Sequence, residues 1–264
     1  MLPPNTVNSL LAAVMAFVRY CEKHGWIDKV PPLEKLETRD VMKGRPITGE
    51  EFERMLKVTS KVVGHEYAQA WKFALQILWE SGFRISEMLG FSWDDEQEIH
   101  PMWADRQTSH DTVIVPPSQK NGRLQEIPML PGLKEILLKV PENDRQGLVV
   151  NLELKRKRNE QLSVDCVSRT IAQIGKEANV VVTKENESTG IRAKYASAHD
   201  LRRGCAARLM NSGVSAETLK VIMRHADFAT TEKHYGAIRS AQAAGDELQE
   251  KLKSKTKKSV LVGG

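Results

Sequence analysis

Residues Ser197 to Tyr235 read SAHDLRRGCAARLMNSGVSAETLKVIMRHADFATTEKHY and hold His199, Arg202, Arg203, His225 and Tyr235. Ser197 followed by Asp200 fits a capping box that opens a helix, each side chain satisfying an amide of the first turn. Leu201, Cys205, Leu209 and Met210 then recur at helical spacing and give that helix a buried stripe. His199 and Arg202 lie three apart, so they project from one side of its first turn. A helix N-terminus attracts anions, and a planar guanidinium beside it suits a phosphate. On this stretch alone two readings stand level. One is a phosphate-handling site; the other is a surface arginine, two incidental histidines and a tyrosine used for packing.

Two phrases upstream bear on the choice. Ser81-Gly82-Phe83-Arg84-Ile85-Ser86-Glu87 places an arginine at the entrance to a helical turn. A cation is a poor choice there, because the helix dipole favours negative charge, and Glu87 at i+3 is placed to hold it. Further on, Lys120 stands in Ser118-Gln119-Lys120-Asn121-Gly122-Arg123, between segments with strand character. A lysine at a hairpin tip is more often merely solvated, so only its order among the other motifs marks it out. Taken together, H-x-L-R, a second histidine, Thr230-Thr231 with a tyrosine, the G-F-R-I-S-E phrase and the lysine resemble the tyrosine recombinase (phage integrase) family.

That resemblance implies a role for each residue. Tyr235 would be the nucleophile, forming a 3′-phosphotyrosyl link to DNA. Arg84 and Arg202 would clamp the scissile phosphate, His199 would assist proton transfer, His225 would hydrogen-bond the phosphate, and Lys120 would protonate the 5′ oxygen. The pattern departs from the family's at three places. Arg203 stands where a histidine commonly follows the motif arginine, and Arg224 where a glycine commonly precedes the second histidine. Tyr235 lies one residue beyond the commonest spacing, with His234 in that place.

Composition agrees with a polyanionic partner without requiring one: 264 residues, a net charge of +5 and a pI near 9.0. Cys21, Cys166 and Cys205 sit singly within predicted helices, which suits reduced thiols rather than a disulfide framework or a zinc site. The apolar run Leu10–Val18 is too short to span a bilayer and lacks the flanks of an export signal. A cytoplasmic, nucleoid-associated protein is expected. Neither a metal constellation, a glycine-rich nucleotide loop nor a G-x-S-x-G phrase occurs, so no cofactor, metal or small-molecule substrate is expected.

Along the chain, residues 5–24 read as an amphipathic helix ended by Gly25, with Leu10, Leu11, Val14, Phe17, Val18 and Cys21 on its apolar side. Pro31-Pro32 opens an extended connector. A lone helix cannot bury its own face. The resemblance implies that residues 1–45 are the last helix and linker of a partial core-binding segment. Residues 46–240 would form the catalytic domain, and 241–264 a C-terminal helix and lysine-rich tail that docks on a neighbouring protomer. Thr48 caps a helix with Phe52, Met55 and Leu56 inward, and Tyr67–Glu80 forms the next, with Trp71, Ala74, Leu75, Ile77 and Leu78 in the core. Residues 112–115 and 125–128 read as strands joined by a turn at Lys120-Asn121-Gly122. Leu133–Val140 and Val164–Ala178 are further helices. The basic run Lys155–Arg158 is a DNA-backbone contact or a solvated loop, and residues 182–196 form a polar excursion.

The expected fold is therefore α+β and mainly helical: a tyrosine-recombinase-type catalytic domain with a small antiparallel sheet near residues 98–130. The expected activity is site-specific recombination, with double-stranded DNA as partner and a homo-tetramer on two DNA sites. Type IB topoisomerase-like relaxation and a non-catalytic DNA-binding accessory role are the alternatives.

Overall fold

A computed structural model of the chain describes residues 4–37, 44–104, 110–117, 122–155, 161–186 and 190–224. The chain divides after Met42 into two compact units. The first contains helix α1 (Pro4–Lys23) and an extended return. Asn8 brackets the backbone of Leu36, accepting its amide and donating to its carbonyl, both at 2.8 Å. Within this unit the expected apolar stripe finds little cover, since Leu10, Val14 and Phe17 are exposed while Cys21 is buried. Among the described residues no helix is long and apolar enough to cross a membrane.

The second unit begins at Lys43. Its helices are α2 (Gly49–Val63), α3 (Ala68–Ser81), α4 (Ile85–Leu89), α5 (Pro131–Leu138), α6 (Val164–Glu177), α7 (Ala198–Asn211) and α8 (Ala216–Met223). Strands β1 (His100–Met102), β2 (Thr112–Val115) and β3 (Gln125–Pro128) form an antiparallel sheet in that order. Strands β4 (Val181–Thr183) and β5 (Lys194–Tyr195) pair antiparallel, so the polar excursion is a hairpin-like ladder. In the larger sheet the last β2–β3 pair is Val115 with Gln125. Pro116 and Pro117 follow at once and carry no amide hydrogen, and the ladder ends at the expected bounds of 112–115 and 125–128. Lys120 and Asn121 lie outside the described residues, as do Arg156–Arg158 of the basic run.

Helix α3 is the axis of this unit. Trp71, Leu75, Ile77 and Leu78 along it are wholly buried, and each large apolar side chain contributes about 1.5–3 kcal/mol by leaving water. Trp71 still satisfies its polar edge by donating its indole N–H to the Glu153 carbonyl at 2.9 Å. On one side the Phe52 ring of α2 stacks on Trp79 of α3 at 4.6 Å. On the other, α7 approaches so closely that a Cβ at Gly204 would strike the Trp79 ring, so glycine is what lets these helices meet. Helix α7 thereby delivers its first turn to the end of α3.

Candidate phosphate-binding site

The site is built where α3 stops. Gly82 adopts a left-handed conformation (φ +64°) and returns its amide to the Leu78 carbonyl, a common helix ending. Glycine is needed twice over, because a Cβ there would also lie 2.9 Å from Met223 Cε. The chain turns through Phe83, whose ring meets Phe91 edge-on at 5.3 Å, and restarts as α4 with Arg84 at the N-cap.

Arginine is an unusual N-cap, having no oxygen to offer the first turn. Glu87 compensates. Its carboxylate accepts the Arg84 backbone amide at 2.7 Å and Arg84 Nη1 at 2.6 Å, as the i+3 spacing implied. The structure adds two further guanidiniums that spacing did not reveal. Arg202 Nη1, from α7, lies 3.9 Å from Glu87 Oε2, and Arg224, at the end of α8, binds both carboxylate oxygens through Nε and Nη2.

These three arginines are not equivalent. Arg202 donates to the Gly82 and Met223 carbonyls, tying the end of α3 to the end of α8 from the first turn of α7. The Arg84 side chain is 36% exposed, against 8% for Arg202 and 1% for Arg224, so Arg84 presents its guanidinium outward. Burial alone would raise the Glu87 pKa, but Arg224, the Arg84 amide, Arg202 and the Arg84 guanidinium together lower it to about 2. Glu87 is therefore a carboxylate throughout the neutral range.

Helix α7 begins at Ser197, and Asp200 accepts both its amide at 2.9 Å and its hydroxyl at 2.7 Å. Asp200 also accepts from Arg203 Nη1 at 2.7 Å, which explains how an arginine is accommodated in place of a histidine. His199 stands exposed beside this turn. Partial desolvation of its ring, followed by Arg203, Arg202 and Arg84, lowers its pKa from the usual 6.5, with Asp200 opposing. At neutral pH it is thus a neutral imidazole, able to accept a proton. Arg84, Ser86, Ser168, Ser197 and His199 line one cleft of about 250 Å³.

The structure thus brings together Arg84, His199 and Arg202, which are far apart in sequence. Lys120, His225 and Tyr235 lie outside the described residues. Sequence reasoning missed the grip of Arg224 on Glu87; the one signal was its presence where the family commonly has glycine.

The family model described as the phage integrase family matches residues 45–242. The chain belongs to that family. Among curated relatives, this integrase-family chain is 24% identical to tyrosine recombinase XerC of Mesorhizobium japonicum over 238 residues, covering 88% of the chain and 68% of the relative. It is 22% identical to tyrosine recombinase XerC of Syntrophus aciditrophicus, covering 87% and 68%. Among solved structures, the Tn1549 transposon integrase bound to transposon right end DNA superposes with a TM-score of 0.58 at 20% identity, over 94% of this chain and 80% of that one. The XerH recombinase in its post-cleavage complex with palindromic difH substrate gives 0.58 at 14% identity, over 93% and 68%. At these identities the structural likeness establishes the fold, which is that of tyrosine recombinase catalytic domains. The expected mainly helical α+β class holds.

Proposed function

We propose that this chain is a site-specific DNA recombinase that breaks and rejoins double-stranded DNA through a covalent 3′-phosphotyrosyl intermediate. The observation that carries this reading is the convergence of Arg84 and Arg202, from two helices, on Glu87 beside the cleft that His199 lines. Metal-free cleavage of a phosphodiester needs positive donors against the non-bridging oxygens, a nucleophile and an acid for the leaving oxygen. Arg84 and Arg202 supply the first, Arg84 from the cleft wall and Arg202 from behind it. Tyr235 is the nucleophile: its phenolic oxygen forms a bond to phosphorus as the bond to the 5′ oxygen breaks. The phenolic proton passes to solvent or base with the help of His199, and Lys120 gives its proton to the departing 5′ oxygen. His225 hydrogen-bonds the phosphate. Attack by the freed 5′ hydroxyl of a second strand reverses these transfers and releases the tyrosine.

The relatives named as recombinases and the DNA-bound neighbours support DNA as the partner. On the same reading, residues 46–240 form the catalytic domain and residues 1–45 a core-binding segment. Residues 241–264 dock on a neighbour in a tetramer spanning two DNA sites, in the cytoplasm and on the nucleoid.

The test is covalent trapping on nicked duplex selected by the wild-type protein from a randomised pool. A detergent-resistant protein–DNA band is expected from wild type and not from Tyr235→Phe. A band retained by Tyr235→Phe would remove Tyr235 as nucleophile. Retarded DNA without any band would instead mark an accessory binding protein.

A further inference from the structure

Arg224 is a residue without an evident place in this chemistry, yet the fold holds it under unusual constraint. It terminates α8 with φ +47° and ψ +47°, the left-handed conformation that glycine adopts freely and other L-residues adopt only at a cost. A helix ending here would be easiest with glycine. Its side chain is nevertheless almost fully buried, with the guanidinium on both oxygens of Glu87, on the Ile222 carbonyl at 3.4 Å and 5.1 Å from the Phe83 ring. Burying a long cationic side chain on a strained backbone is a doubly unfavourable choice, and its ion pair with Glu87 is the charged contact that offsets it.

The consequence falls on Arg84. Glu87 is needed as the acceptor for the amide of an N-cap that has no acceptor of its own. A full carboxylate in that role would also neutralise the guanidinium meant for phosphate, since Arg84 Nη1 is only 2.6 Å away. Arg224 meets the same carboxylate from the interior. The charged groups facing Glu87 among the described residues are then Arg84 on its own element, Arg202 from α7 and Arg224 from α8.

We infer that Arg224 is a positioning residue for the phosphate cleft: it takes up the charge of Glu87 from behind, so that the carboxylate orients Arg84 without cancelling its charge. This rests on the recombinase reading for its catalytic consequence, and on the cleft alone for its anion-binding consequence. Arg224 touches no substrate in this account. It acts through Glu87 and Arg84.

The experiment is a charge series in the full chain: Arg224→Lys, Arg224→Gln, Arg224→Gly and the double variant Glu87→Gln/Arg224→Gly. Two readouts are taken, the single-turnover rate of covalent adduct formation on the selected nicked duplex and the thermal stabilisation given by inorganic phosphate. Arg224→Gln and Arg224→Gly are expected to slow adduct formation about tenfold or more, as loss of an electrostatic contributor to a transition state does. Arg224→Lys keeps the charge and stays near the wild-type rate. The decisive variant is the double one: glutamine keeps an acceptor for the Arg84 amide without the charge, so rate and phosphate effect return towards wild type. A merely structural role for Arg224 predicts no such recovery. The inference is overturned if Arg224→Gly and Arg224→Gln match wild type, or if the double variant is no better than Arg224→Gly. Should wild type itself form no adduct, the recombinase reading fails, and the phosphate series decides the inference alone. If that series then shows no dependence on Arg224, both fall.

Discussion

Glu51 and Glu87 occupy the same place in two helices, and the contrast between them separates architecture from chemistry. Each is the third residue of its helix, and each accepts the N-cap amide, at 2.9 Å from Thr48 and 2.7 Å from Arg84. Each is surrounded by arginines and has a lowered pKa. Around Glu51, Thr48 completes a reciprocal box by accepting the Glu51 amide at 3.2 Å. Arg45 and Arg54 reach past it to the carbonyls of Val181 and Ala178, stapling α2 to the end of α6 and the start of β4. Every cation there is engaged in holding elements together. Around Glu87 the N-cap is itself a cation, two further cations lie buried behind it, and the outermost one faces a cleft. A motif of the same local form is a staple where its charges meet backbone, and a site where they exceed what the carboxylate balances.

The largest effect that would sharpen this contrast is expected from Glu87→Ala. It leaves Arg224 buried without its carboxylate, so unfolding free energy measured in urea should fall by about 3–5 kcal/mol. A fall no larger than that of a surface variant would break the comparison, because Glu87 would then be no more than a cap. Next comes Thr48→Ala, which removes a cap oxygen from the staple. About 1 kcal/mol of stability should be lost while the rate of adduct formation stays unchanged. A slowed rate at equal stability would mean that the α2 cap also serves the cleft.

Acid titration gives a smaller signal with a definite sign. Glu87 has a folded pKa of about 2, below the 4.5 of an ordinary glutamate, so its contribution is fully present above the unfolded value. That contribution is lost as pH falls from about 4.5 through about 2. Arg224→Gly removes the largest of the charges holding that pKa down, so the Glu87-dependent acid loss of stability, followed by circular dichroism, should be smaller and complete at a higher pH, with its onset unchanged.

How much of this was legible in the chain follows from the range of each interaction. The Arg84–Glu87 and Ser197–Asp200 pairs are both i,i+3, and spacing announced them, as residue type announced the cap at Thr48. The helices were legible for the same reason: one face buried every third or fourth residue leaves a pattern that a single strand of text preserves. Arg84 was singled out because a cation at a helix start contradicts the dipole, and the contradiction pointed to Glu87. The strand ladder was legible to its ends, since residues 112–115 and 125–128 pair as alternation and β-branching implied.

The sequence by itself therefore determined the helix starts and stops, the buried stripes of α3 and α7, and which arginines were candidates, since local sterics and hydrogen bonding act within a turn or two. Tertiary structure alone decided which of those arginines faces the cleft and which is consumed inside. Gly204 against Trp79 sets how near α7 comes to α3, and Gly82 against Met223 sets how near α8 comes to both. Those two close approaches bring Arg202 and Arg224 onto a carboxylate more than a hundred positions away in the chain. Coulomb energy depends on distance in space and on burial, and neither is written in the order of residues.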